Sequence, residues 1–296
     1  MSSPASPPSR APHTVDLGSR RGRLLVFGGS YSNLQALQGF KAIADAASVP
    51  PENIIFTGDS IAYGADPQGC VDLLQNWGVM AIAGNVELQL RAGVGDCGCN
   101  FKPGSTCDRL SQQWYRYAQR HIDAAAIAWM QQLPEYLTFT YGGRRVVVVH
   151  GAYRQTSAFV FGSTPWARKV QDFAAAQAEI LLSGHCGLPW LSTEDEKLWV
   201  NAGVIGMPAN DGTPRAWYAV LEETGSDLIY QRRAYNYDYA QAAARIEHNH
   251  LPATYSRAIR TGLWEDCSIL PPEELAAQGL PLSEQTLRFP LTTASR

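Results

Sequence analysis

Short apolar runs recur along the chain, most of them ending in a glycine and a polar residue, with helical spacings between them. Leu24-Leu25-Val26-Phe27 has no polar member, the pattern of a strand covered on both faces. A turn over Gly28–Asn33 leads into a segment with Leu34, Leu37, Phe40 and Ile43 at helical spacing, and Asn33 is placed to cap it. The same reading gives a strand at Asn53–Phe56, a helix at Cys70–Trp77 and a strand at Val79–Ala83. This β-α-β-α-β order predicts a parallel sheet covered by helices. Asp108–Leu133 reads as helical with a break near Asp123, and Tyr136–Tyr141 with Arg144–Val149 flank Gly142-Gly143, a hairpin signal. Further strands are predicted at Ile180–Ser183, Leu198–Asn201, Arg215–Leu221 and Leu228–Arg233, with a closing helix from Tyr239 to Glu247. The fold class is α/β, richer in antiparallel strands in its second half.

Outside this pattern the chain thins. Residues 1–22 are rich in Pro, Ser and Arg and read as a flexible tail without the apolar stretch of a secretory signal. Residues 23–271 form one mixed domain, and 272–296 an extension consisting of a short helix and a loose end. Across the 296 residues, 45% are hydrophobic and 17% charged, with a formal net charge of −3. That balance excludes a disordered or fibrous chain and gives no basic surface for nucleic acid. No apolar run reaches the roughly 20 residues of a membrane span. Six cysteines are too few to build a disulfide scaffold, so most are expected to be thiols and the protein cytoplasmic.

The strand ends carry the chemistry. Asp59 follows Ile54-Ile55-Phe56, Asn85 follows Val79–Ala83, His150 follows Val146–Val149, and His185 follows Ile180-Leu181-Leu182. In open α/β sheets the carboxyl ends of strands frame the binding crevice. One carboxylate, one amide oxygen and two imidazoles make a mixed N/O set suited to Mn, Fe or Zn.

With Gly29-Ser30-Tyr31-Ser32-Asn33, Gly58-Asp59, Gly84-Asn85-Val86-Glu87, His150-Gly151, Gly184-His185-Cys186-Gly187 and Asn201-Ala202-Gly203 in this order, the chain resembles a calcineurin-like metallophosphoesterase of the small bacterial phosphodiesterase type. The similarity runs from about Arg23 to Pro271. It implies a four-layer α/β/β/α sandwich, a small phosphorylated substrate and a two-metal centre. It also implies that Asp59, Asn85, His150 and His185 hold the second metal. The residues aligned with the first metal's own ligands are Gly29, Tyr31 and Gly187, and the usual proton donor aligns with Val86. The chain thus resembles a diverged branch with altered first-metal ligands, expected to bind one ion.

Substitutes for the missing groups stand nearby. Tyr31 is a phenolate ligand, a hydrogen-bond donor to a phosphoryl oxygen, or a ring filling vacated space. Glu87 is an acid or base, a partner for a ligating histidine, or a surface carboxylate. Cys186 lies between His185 and Gly187, as a small buried residue or a metal contact. Cys97 and Cys99, with Cys107 nearby, form a loop of buried thiols, a disulfide such as Cys97 to Cys107, or sulfur ligands. The leading expectation is a metal-dependent phosphoesterase with Tyr31 or Glu87 assisting. Its rivals are a silent metal- or phosphate-binding protein of the same fold and a different, sulfur-assisted metal chemistry.

Overall fold

The computed structural model describes residues 12–99 and 101–291. Its strands form two six-stranded sheets. In the first, β1 (Thr14–Arg20) is followed by the hairpin β5 (Tyr136–Tyr141) and β6 (Arg144–Val148), then β7 (Ile180–Ser183), β9 (Lys197–Ala202) and β8 (Pro189–Glu194). In the second, β12 (Gln285–Pro290) is followed by β11 (Asp227–Tyr235), β10 (Ala216–Thr224), β2 (Leu24–Phe27), β3 (Ile54–Phe56) and β4 (Met80–Ala81). The β2–β3–β4 and β6–β7–β9 pairings are parallel, as the alternation with helices predicts. The β5–β6 hairpin is closed by Gly142 and Gly143, both at positive φ, the backbone a two-residue turn of this kind needs.

Side chains on each central strand alternate between two cores. Leu24 and Val26 point to an inter-sheet core with Val146, Val148, Ile180 and Leu182. Leu25 and Phe27 point the other way, against Leu37 and Phe40 of α1 (Leu34–Ala46) and Leu74 and Trp77 of α2 (Pro67–Trp77). On the far side, Val147, Val149 and Leu181 bury Phe173 of α6 (Trp166–Ala176). Both sheets are therefore covered on both faces, giving the four-layer sandwich. Asn33 caps α1 as expected, its Oδ1 accepting from the Ala36 N–H at 3.1 Å.

Over the carboxyl ends of the parallel strands lies a helical cap. It contains α3 (Asn85–Arg91), α4 (Thr106–His121), α5 (Ala124–Gln132), α7 (Tyr239–His248) and α8 (Ala253–Thr261), sharing a core with Tyr31 and Val86. The α4–α5 break falls at Asp123, which caps α5. A short α9 (Pro272–Ala276) follows.

Two departures from the sequence reading lie at the chain ends. Part of the expected tail is β1, paired in parallel with β5, and part of the expected loose end is β12, paired antiparallel with β11. Both are edge strands with one covered face, so each offers only two apolar anchors, Val15 with Leu17 and Leu287 with Phe289. The remaining ends of those segments, residues 1–11 and 292–296, lie outside the described residues. Among the described residues no helix is long and apolar enough to cross a membrane.

Candidate metal centre

Four strand-end loops converge beneath the helical cap. Asp59 and His185 are both buried at positive φ, 63° and 67°, an uncommon backbone for non-glycine residues that the surrounding packing must enforce. Gly84 permits the closest approach: a Cβ there would stand 2.2 Å from Asp59 Oδ1. Without that atom, Asp59 Oδ1 reaches the first turn of α3 and accepts from the Val86 N–H at 3.2 Å. Its Oδ2 is left facing His150 Nε2 at 3.0 Å and His185 Nδ1 at 3.9 Å.

The imidazoles are anchored from behind. His150 Nδ1 lies 2.7 Å from the Thr57 carbonyl, and His185 Nε2 lies 3.1 Å from the Ser157 carbonyl. A carbonyl only accepts, so these contacts place an N–H on each far nitrogen and a lone pair on His150 Nε2 and His185 Nδ1. Those two atoms are 2.9 Å apart. Asn85 donates its Nδ2 to the Cys97 carbonyl at 2.8 Å, which turns Oδ1 toward His150 Nε2 at 3.0 Å. Four electron-rich atoms thus meet with no donor between them, an arrangement that calls for a cation.

The chemistry of this donor set fits a divalent metal. The facing atoms Asp59 Oδ2, His150 Nε2 and His185 Nδ1 lie 3.0, 3.9 and 2.9 Å apart in pairs, inside the roughly 4.4 Å that two bonds of about 2.2 Å to a common ion can span. Burial pulls His150 down, but the Asp59 carboxylate and the Thr57 carbonyl raise its pKa overall. Burial works against the ionised form of Asp59 as well, yet the two histidines hold its carboxyl below the usual range. His185 is lowered, chiefly by burial.

Glu87 is fully buried, not a surface carboxylate. It accepts from the N–H groups of Asp59, Ser60 and Gly84, each at 2.8 Å, and from the Ser60 hydroxyl at 2.7 Å. Burial and the neighbouring Asp59 carboxylate raise its pKa. With both oxygens engaged, Glu87 fastens the Asp59 loop to α3 and touches neither histidine. As an acid or base it is not free, and the sequence reading of it in that role is corrected to a positioning one.

Tyr31 lies over Gly29. A Cβ on Gly29 would stand 2.4 Å from Tyr31 Cε1, and one on Gly187 would stand 2.7 Å from Trp264 Cη2. Two aromatic rings therefore occupy the space that side chains at those two glycines would need. Burial, then Tyr63 and Asp59, push the Tyr31 phenol well above its ordinary pKa. As placed, Tyr31 is a ring filling the space over Gly29, and its hydroxyl donates to the His185 carbonyl at 3.4 Å.

The sulfur readings are corrected too. Cys97 is bonded to Cys99, not to Cys107, and the remaining four cysteines are thiols. The Cys97-Gly98-Cys99 turn serves Asn85, whose Nδ2 also lies 3.4 Å from Cys99 Sγ. Cys186 turns its sulfur to the Leu188 carbonyl at 3.5 Å and Asn201 Nδ2 at 3.4 Å, and burial pushes its thiol up to about 11. Cys107 sits beside Ser268, and burial together with Asp266 pushes its thiol up to about 12. Among the described residues the converging His, Cys, Asp and Glu ligand atoms come from Asp59, His150 and His185.

Trp264, Tyr255 and Phe159, which line the cavity beside this cluster, were not singled out in the sequence. They come from irregular or helical segments without a glycine-flanked motif, so no local pattern marked them.

The sequence profile of the calcineurin-like phosphoesterase superfamily domain matches residues 26–226. An uncharacterized protein of Methanocaldococcus jannaschii is 22% identical over 244 residues, covering 77% of this chain and 93% of that protein. The chain is similar in fold to a metallophosphoesterase from Sphaerobacter thermophilus, with TM-score 0.64 and 21% identity, over 82% of this chain and all of that one. A hypothetical protein from Pyrococcus horikoshii OT3 is similar at TM-score 0.66 and 16% identity, over 82% and 99% of the two chains.

Proposed function

This chain belongs to the calcineurin-like phosphoesterase superfamily, and we propose that it hydrolyses phosphate esters at a centre holding one divalent transition-metal ion, Mn, Fe or Zn. The observation that carries the reading is the convergence of Asp59 Oδ2, Asn85 Oδ1, His150 Nε2 and His185 Nδ1 with their other atoms tied to the protein. When bound there, such an ion supplies Lewis acidity at a phosphoryl oxygen and lowers the pKa of water.

The residues divide the remaining work. Asp59, Asn85, His150 and His185 hold the ion. Glu87 keeps the Asp59 loop seated on α3. Tyr31 lines the cavity, its hydroxyl 3.4 Å from the His185 carbonyl. The cavity beside the cluster is lined largely by aromatic and apolar side chains, which lower the local dielectric and strengthen polar contacts made against them.

Two features favour a second reading, a metal- and phosphoryl-binding protein without turnover. Val86 stands where the family places its proton donor, and it carries no ionisable group; general acid help is typically worth about 10²–10⁴-fold in rate. Glu87, the adjacent carboxylate, is wholly engaged. Purified protein loaded with Mn and given bis(p-nitrophenyl) phosphate separates the readings. Hydrolysis that disappears in Asp59→Ala supports the enzyme. Stoichiometric metal with no turnover on a range of phosphate esters supports the binding protein.

A further inference from the structure

We propose that the cavity beside the metal-binding cluster is a subsite for an organic ammonium group, so that the ester this protein accepts carries a choline-like substituent on its phosphate. The inference deepens the phosphoesterase reading and rests on it for the phosphate half of the ligand. The cavity, of about 110 Å³, abuts Asp59 and His185. It contains the rings of Tyr31 and Trp264 that fill the space over Gly29 and Gly187.

Two runs of rings line it. Tyr31, Tyr63 and Tyr255 follow one another at centroid separations of 4.9 and 4.7 Å. Phe101, Phe159 and the ligand-bearing ring of His185 follow at 6.3 and 4.6 Å. Trp264 completes the lining next to Gly187. Aromatic faces attract cations through the ring quadrupole, and quaternary ammonium recognition by grouped rings is the established use of that attraction.

Charge distinguishes this occupant from others. Among the described lining residues none is Lys or Arg, while Glu265 and Asp266 both contribute. Glu265 is paired with Arg257, at 2.8 Å from Nη2 to Oε2. Asp266 has no cationic partner among the described residues; burial works against its ionised form, but hydrogen bonds from the Ser268 hydroxyl and N–H hold its carboxyl below the usual range. A second phosphate or a carboxylate would meet this carboxylate with nothing to offset the repulsion. A permanent cation needs no hydrogen-bond partner and matches both the rings and the acid.

The test uses a matched pair. Phosphorylcholine and 3,3-dimethylbutyl phosphate differ in replacing the charged nitrogen by carbon, and each is titrated calorimetrically into the full-length, Mn-loaded protein. The expected result is tighter binding of phosphorylcholine by on the order of 3- to 30-fold. Asp266→Asn and Trp264→Leu should each shrink that ratio, with circular dichroism confirming that the variants fold. Equal affinities would mean a merely apolar pocket and overturn the proposal, as would failure of both ligands to bind, together with no response to tetramethylammonium. Tetramethylammonium titrated into metal-free protein and followed by tryptophan fluorescence reads the subsite alone. A response there without Mn binding would sink the phosphoesterase reading and keep the subsite; Mn binding without a response would do the reverse.

Discussion

The ring of Tyr31 stands where a side chain on Gly29 would have to go, with 2.4 Å between the would-be Cβ and Cε1. Gly29→Asp therefore cannot rebuild a second ion site by itself. The variant should be destabilised by about 1–3 kcal/mol from overpacking and should still bind one ion. Pairing it with Tyr31→Ala should recover much of that loss, a coupling of about 0.5–3 kcal/mol between touching residues. Urea denaturation of the two single variants and the double one, with metal analysis of each, checks both halves.

Glu87 satisfies three main-chain N–H groups and one hydroxyl through two oxygens. Glu87→Gln turns an amide N–H toward donors that need an acceptor. Hydrogen bonds to a charged group contribute about 1.5–3 kcal/mol each, so a stability loss of that order is expected. Because Asp59 is positioned through Glu87, metal affinity should also fall by about 10–100-fold. Calorimetric metal titration at matched folded fraction distinguishes the second effect from the first.

Metal and proton compete for the same lone pair on His150. Burial lowers its pKa, but the Asp59 carboxylate and the Thr57 carbonyl together raise it overall, so the ion competes with a proton increasingly as pH falls. Apparent Mn affinity should weaken by about tenfold per pH unit below the His150 pKa, and binding should release protons measurably in buffers of different ionisation enthalpy. In metal-free protein the sign reverses for this residue. A raised imidazole pKa gives stability that is present at low pH and lost as pH rises through the folded-state value. The stability difference between wild type and His150→Gln, measured without metal, should accordingly shrink with rising pH.

Phe289 anchors β12 on β11 and is buried against the inter-sheet core. Phe289→Ala should cost about 3–5 kcal/mol, read as a lower urea midpoint, with metal affinity of the folded protein unchanged.

The candidate centre was legible because each of its four side chains ends a separate apolar run and sits beside a glycine. Asp59, Asn85, His150 and His185 are therefore marked by pattern even though they are far apart in sequence. Glu87 was visible as a residue but not in its role, since nothing local tells a carboxylate that it will be buried beneath three N–H groups. Trp264 could not be anticipated at all, because its meeting with Gly187 depends on how the segment after α8 folds back over the strand ends. β1 and β12 escaped for a different reason: an edge strand with two apolar anchors is periodic for too short a stretch to stand out from a loop.

The first and last strands of the described residues are outermost in their sheets, β1 guarding β5 and β12 guarding β11. Trimming the protein to the span shared with its superfamily, 26–226, would remove β1, β11 and β12 and bare the hydrogen-bonding flanks of β5 and β10. Exposed flanks of that kind recruit other chains, so such a fragment should clump during expression even with every metal-site residue intact.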